Sequence, residues 1–190
     1  MPGEPDDAVV QYPGAVRARY RWAGSGHGAE VFALSEAGGT LADLGSHVSS
    51  EPDALCRAEV RVESPVATWT VRLASAIFDR PAGVLWDTAG LLVVKYGFQT
   101  YAFDARTGEP RWEHRSRTPI LAVLASPRLA HVLVQTELET FALEADGTVA
   151  WRAAHSDVVA GVELVGGRLV LTSYAGLLMA LDPATGRALS

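Results

Sequence analysis

Thr100-Tyr101-Ala102-Phe103-Asp104-Ala105-Arg106-Thr107-Gly108, with Trp112 four positions beyond the glycine, recurs twice further along the chain. The second copy is Thr140-Phe141-Ala142-Leu143-Glu144-Ala145-Asp146-Gly147, one residue shorter in its turn and followed by Trp151. The third is Leu178-Met179-Ala180-Leu181-Asp182-Pro183-Ala184-Thr185-Gly186, which reaches Ser190 where the others place tryptophan. Positions 101, 141 and 179 are 40 and 38 residues apart, and a fixed period of this length points to equal supersecondary units stacked side by side. A fainter copy, Val31-Phe32-Ala33-Leu34-Ser35, runs on into Gly38-Gly39-Thr40-Leu41-Ala42.

The residue types account for a hairpin. Large apolar side chains two apart (Tyr101 and Phe103, Phe141 and Leu143, Met179 and Leu181) fall on one face of a strand, and the alanine between them allows close sheet packing. An acid ending the strand can accept hydrogen bonds from turn N–H groups, and glycine supplies the positive φ that returns the chain. Asp146-Gly147 is the strongest such turn signal. Trp112 and Trp151 then stand as large anchors at one place in the outgoing strand. Ahead of each hairpin lies another apolar run: Leu91–Val94, His131–Val134 and Leu169–Thr172. Each unit therefore reads strand, strand, hairpin, strand, a four-stranded blade with two apolar faces that only stacking can bury.

The pattern aromatic-Ala-Leu-Asp-x-x-Thr-Gly-x-x-x-Trp resembles the PQQ-like repeats of quinoprotein-type β-propellers, most clearly over residues 83–190. The resemblance implies an all-β propeller, usually of seven or eight blades; counting units at a spacing near forty gives about five four-stranded antiparallel blades here, a small β-propeller, with an open or merged antiparallel sheet sandwich as the alternative. Approximate units are 8–46, 47–73, 74–116, 117–155 and 156–190, in a single domain with residues 1–7 as a disordered tail. The first half supplies its two units from Arg17–Trp22 leading to Val31–Leu34, and from Arg57–Val62 and Thr68–Leu73 around a Ser64-Pro65 turn. Ala8-Val9-Val10-Gln11-Tyr12 is expected to pair with the last blade and close the ring, removing an exposed edge. Helix is expected to be minor, one turn near Glu51–Cys56.

Composition sets further bounds. The chain has 190 residues, 48% hydrophobic and 20% charged, as in a globular domain, and its net charge of −6 weighs against nucleic acid. No apolar stretch approaches the ~20 residues that cross a bilayer as a helix. The start, Met1-Pro2-Gly3-Glu4-Pro5-Asp6-Asp7, lacks the basic and apolar regions of a secretory signal, so a cytoplasmic location is expected. Cys56 is the only cysteine, which excludes an internal disulfide; a small buried thiol is the expected state.

The quinone enzymes that lend the repeat its name imply a calcium-bound cofactor, a stacking tryptophan and often a vicinal disulfide. One cysteine and no asparagine anywhere in the chain argue against that chemistry, and no cofactor is expected. His27, His47, His114, His131 and His155 show no metal-ligand spacing. His131 reads as a satisfied edge residue and His114 as solvent-facing. Gly24-Ser25-Gly26-His27-Gly28 precedes a strand, not the helix N-terminus that a phosphate loop needs. Glu137 and Glu139 read as exposed turn residues. No catalytic set emerges, so a noncatalytic module is favoured over an enzyme.

One constellation has the chemistry of recognition. If the repeats share one register, the turns between second and third strands present Lys95, Tyr96 and Phe98, then Gln135 and Glu137, then Ser173 and Tyr174. The links between blades add Arg115 and Arg117, then His155 and Asp157. Aromatics mixed with arginine match the composition of binding hot spots. The expected function is a binding module holding a protein or peptide partner on this face. One alternative is a small-molecule binder or small enzyme using the central channel, which the apolar segments 83–86, 121–124 and 161–164 disfavour. Another is a shortened, inactive relative of a larger propeller serving as a regulatory or structural subunit.

Overall fold

The computed structural model describes residues 5–25, 42–44 (backbone only) and 54–190. The described residues form seventeen strands in four sheets, with a short 3-10 turn at Asp87–Ala89. The first sheet holds β1 (Asp6–Tyr12), β2 (Val16–Ala23), β4 (Cys56–Glu63) and β5 (Thr68–Ser75), antiparallel in that order, with β3 (Ala42–Leu44) parallel to β5 on the outside. The second is β6 (Ala82–Trp86), β7 (Leu91–Tyr96), β8 (Gln99–Asp104) and β9 (Pro110–Arg115). The third is β10 (Ile120–Leu124), β11 (Val132–Thr136), β12 (Glu139–Leu143) and β13 (Val149–Ala154). The fourth is β14 (Val159–Val165), β15 (Arg168–Ser173), β16 (Leu178–Leu181) and β17 (Ala188–Leu189).

Three of these sheets are the repeat units that the sequence marks, and their turns work as the residue types dictate. Asp104 Oδ1 accepts from the backbone N–H groups of Arg106 (3.0 Å) and Thr107 (3.1 Å), and Asp182 Oδ1 accepts from that of Ala184 (2.8 Å). Gly108, Gly147 and Gly186 all carry a positive φ, between 72° and 87°. Three apolar clusters fill the spaces between successive sheets. Tyr101 and Phe103 pack with Val60, Val62 and Trp69 of the first sheet; Phe141 and Leu143 pack with Val93 and Ala102 of the second. Leu181 packs with Leu133 and Ala142 of the third.

The tryptophans serve a more specific purpose than bulk. Each stands on the last antiparallel strand of one sheet and reaches into the hairpin turn of the next. Trp69 Nε1 donates to the Ala105 carbonyl (3.1 Å), Trp112 to that of Ala145 (3.0 Å) and Trp151 to that of Pro183 (3.1 Å). A methyl group on Gly108 would sit 2.5 Å from the Trp69 ring, and one on Gly147 would sit 2.6 Å from Trp112. Gly186 lies against Trp151 in the same way. The turn glycine therefore answers two demands, a left-handed backbone and a flat shelf for an indole.

Two expectations are corrected. Residues 8–12 do not close a ring onto the last sheet. They pair with β2 through the tight Pro13-Gly14-Ala15 turn, register Tyr12 with Val16, and no described strand lies on the free edge of β17. A partner reached through a three-residue turn costs little chain entropy, so the local hairpin prevails. Among the described residues the first half builds one sheet, so four sheets are seen where about five were expected, and they form an open stack, as in the alternative reading. In β2 and β4 the apolar residues share a single face, with Ala18 opposite Val62, Tyr20 opposite Val60 and Trp22 opposite Ala58. Their other face is charged: Arg17 lies opposite Glu63, Arg21 opposite Glu59, and Glu59 opposite Arg72. That face is not an open surface, since Glu59 is buried on it and Arg57 and Arg72 are half-buried.

Of the remaining expectations, Cys56 is buried within β4. The strand at Val31–Leu34, residues 26–28 of the glycine-rich loop and residues 51–53 of the expected helical turn lie outside the described residues.

Candidate functional site

In the second and third sheets the turn between second and third strands lies beside the chain that leaves for the next sheet, and in the fourth it lies beside the chain that arrives. Ser116 N donates to Phe98 O (2.8 Å) and Ile120 N to Gly97 O (3.0 Å). His155 N donates to Leu138 O (2.8 Å), Val159 N to Glu137 O (2.8 Å) and Tyr174 N to Val158 O (3.0 Å). Turns and connections thus form one continuous face, built by backbone bonds and decorated by the residues singled out above. The side chains on it divide into three groups.

Lys95 and Gln135 are internal struts. The Lys95 ammonium donates to both carboxylate oxygens of Asp79 (2.9 and 3.0 Å), and Asp79 Oδ2 also accepts from Gly97 N (2.7 Å). Gln135 Nε2 donates to the carbonyls of Thr136 (2.8 Å) and Glu139 (3.2 Å), and its Oε1 accepts from the Thr140 hydroxyl (2.5 Å). With its proton directed to Gln135, the Thr140 hydroxyl accepts from His155 Nε2 (2.7 Å), which places the neutral imidazole proton on that nitrogen. Both Lys95 and Gln135 are buried, so neither is available to a partner.

The second group lines a pocket of about 380 Å³ where the first and second sheets meet. Tyr96, Phe98, Arg115 and Arg117 come together there with two residues that sequence reasoning missed, Gln99 and Ser116. Gln99 ends the turn, and Ser116 is sandwiched between the two arginines. Nothing in their chemistry distinguishes them from ordinary surface polar residues until burial is known. The turn glycine Gly97 fits only because it lacks a side chain: its φ is +62°, and a Cβ would run into the Ser75 hydroxyl.

The third group lies at the fourth sheet, around a groove of about 240 Å³ bordered by His155, Asp157 and Ser173 together with Leu177, Leu178 and Met179. Tyr174 is 78% exposed, Leu177 67%, Leu178 73% and Met179 40%. The signal for these leucines was present: Leu177-Leu178 replaces Gln99-Thr100 and Glu139-Thr140 of the earlier copies, where polar residues occupy the same place. Glu137 is half-buried in the turn between these regions, and Glu139, half-buried as well, accepts from Arg152 (2.6 Å).

His114 departs from its expected exposure. Its ring packs against Phe141 at 4.7 Å, and Arg152 donates to its Nε2 (3.2 Å). Burial first, and then the Arg152 charge, hold its pKa below the ordinary histidine value; burial does the same for His155. The unfolded chain, with histidines near ~6.5, therefore binds more protons than the native chain at mildly acidic pH. The contribution of both imidazoles to stability is complete above that value and is lost as pH falls through it. Thermal unfolding is expected to move to lower temperature between about pH 7 and about pH 5, and His155→Gln should flatten part of that slope. Among the described residues, no group of three histidine, cysteine or acidic side chains is placed to hold a metal ion.

The fold and the repeat agree with known proteins. Residues 136–189 match a PQQ-repeat family model described as outer membrane protein assembly factor BamB. BamB from Moraxella catarrhalis is similar over 70% of this chain at 23% identity, with a TM-score of 0.51, and the match spans 41% of the BamB chain. The computationally designed Ika8 protein matches over 96% of this chain and 59% of its own, at 12% identity and a TM-score of 0.55. HIRA(644-1017) matches over 99% of this chain and 54% of its own, at 13% identity and a TM-score of 0.52. The chain thus spans between about two fifths and three fifths of these structures, and identities this low bear on the fold alone. No curated protein matches it in sequence.

Proposed function

We propose that this chain is a noncatalytic binding module that holds a protein or peptide partner on its turn face, at the fourth sheet. One observation carries the reading: Tyr174, Leu177, Leu178 and Met179 form an exposed apolar cluster in a stretch of six residues, alongside a groove. Single exposed apolar side chains are ordinary on a protein surface, whereas a contiguous group rimmed by polar residues marks an interaction surface. His155, Asp157 and Ser173 supply that polar rim. The family model that matches residues 136–189 is described as an assembly factor, and this segment carries the whole cluster, which supports a partner made of protein.

The test is a comparison of baits. Tagged wild-type chain and the Leu177→Asp/Leu178→Asp variant are each used to capture proteins from an extract of the native cell. Both leucines are solvent-facing, so the variant should keep its thermal midpoint. A partner held by wild type should fall at least about tenfold with the variant, because a charge placed in an apolar contact must be desolvated without compensation. Identical capture by both baits would remove this surface from consideration.

A further inference from the structure

The pocket between the first and second sheets holds three polar side chains that are buried yet unpartnered. Tyr96, Gln99 and Ser116 are 0%, 3% and 4% exposed, and Tyr96 Oη, Gln99 Oε1 and Ser116 Oγ have no hydrogen-bond partner within the described residues. Buried polar atoms are overwhelmingly paired in folded proteins; these three are closed to solvent as well as unpartnered, and because their residues line one cavity, a small rotation of each side chain would offer it to a partner from outside. Arg115 and Arg117 flank Ser116, lie exposed, and make no ion pair among the described residues. Phe98 gives the pocket an apolar wall, and Ala74 and Ala76 leave it roomy. A volume of about 380 Å³ suits a small molecule or the end of a peptide.

We propose that this pocket binds a carboxylate flanked by an N–H donor, the grouping shared by the free C-terminus of a peptide and by an N-acyl amino acid. Each part of that grouping answers a group on the page. Two guanidiniums offer the planar, forked donors that carboxylates accept in pairs. The hydroxyls of Ser116 and Tyr96 can each donate to a carboxylate oxygen. Gln99 Oε1 can only accept, so it requires an N–H on the ligand. Phe98 fits the small apolar side chain or methylene that separates these two functions. Among the described residues no aspartate or glutamate lines the pocket, and Asp79, whose charge reaches the Tyr96 hydroxyl, is paired with Lys95. It shares no lining residue with the groove at the fourth sheet, so either site stands if the other fails.

The test is titration of the full chain, followed by NMR of its side-chain N–H signals, with N-acetylalanine, N-acetyl-trialanine and the C-terminal amide of that peptide. Both acids should saturate the pocket, and the amide should bind at least about tenfold more weakly, since a charge-assisted hydrogen bond is roughly twice as strong as a neutral one. Arg115→Gln/Arg117→Gln should lose the acids by a similar factor with an unchanged thermal midpoint. Propanoate, which lacks the N–H, should bind wild type more weakly than N-acetylalanine does, and Gln99→Leu should abolish that preference. A tripeptide acid that binds about tenfold tighter than N-acetylalanine identifies a peptide end as the source; equal binding identifies a small acid. Equal binding of acid and amide, inorganic phosphate binding as well as the acids, or no saturation by any of them would overturn the proposal.

Discussion

Trp69→Ala should lower the unfolding free energy by about 4 kcal/mol, within the ~3–5 kcal/mol seen when a large buried aromatic is truncated. Trp69 is 8% exposed, its ring lies 5.6 Å from that of Phe103, and its indole N–H is bonded to the Ala105 carbonyl. Truncation empties the space over Gly108 and leaves that turn without its cover. The same change at Trp112 and Trp151, which are half-buried, should cost roughly half as much, because less apolar surface returns to water on truncation. Urea denaturation of the three variants measures the series. Equal losses at all three positions would show that the indoles act as independent surface side chains and not as links between sheets.

That series also locates what the sequence made legible. The repeat was visible because three constraints coincide at fixed offsets: an apolar pair for the sheet interior, an acid and glycine for the turn, and a tryptophan for the neighbour's glycine. Trp69 belongs to the same ladder although its own hairpin, Ser64–Ala67, has neither the acid nor the glycine. Its absence from the pattern follows from geometry. Among the described residues no indole reaches the turn of the first sheet, so nothing there demands a glycine shelf. The motif therefore records contacts between units more than the units themselves, and a unit whose turn receives no indole loses half of it.

The sidedness of the first sheet was hidden for a related reason. Arg17, Arg19 and Arg21 alternate with Ala18, Tyr20 and Trp22, a pattern that establishes a half-buried strand but not which neighbour the apolar half will choose. Distance along the chain settled that choice for β1. The turn face was legible by register alone, since positions between second and third strands must cluster if the repeats align. What register could not supply was burial. Lys95 and Tyr96 are adjacent in sequence and both buried; yet Lys95 closes on Asp79, while Tyr96 borders a pocket and its buried hydroxyl has no partner. Only packing from the first sheet distinguishes them.

Asp79 is where that packing should prove most sensitive, with Asp79→Ala expected to destabilise the fold by about 3 kcal/mol, at the low end of the ~3–5 kcal/mol for breaking a buried ion pair because the pair is not fully enclosed. The side chains are 9% exposed for Lys95 and 20% for Asp79. Removing the carboxylate strands a buried ammonium and also releases the N–H of Gly97. Lys95→Met should cost less, about 2 kcal/mol, because the remaining carboxylate keeps its bond from Gly97 and some contact with water. The informative variant is the double, Asp79→Ala/Lys95→Met. If the cost of Asp79→Ala is mainly an unpaired charge, the double should be more stable than Asp79→Ala alone, a sign reversal that additive surface residues never give. The effect should reach the pocket as well. Gly97 and Phe98 accept the backbone bonds of Ile120 and Ser116. A turn no longer tied to Asp79 should therefore displace Ser116 and Phe98, and saturation by N-acetylalanine should weaken even under conditions where the variant is fully folded. Chemical denaturation and the same NMR titration, run on the three variants, measure both consequences, and a double variant less stable than either single would refute the assignment of the pair as a buried strut.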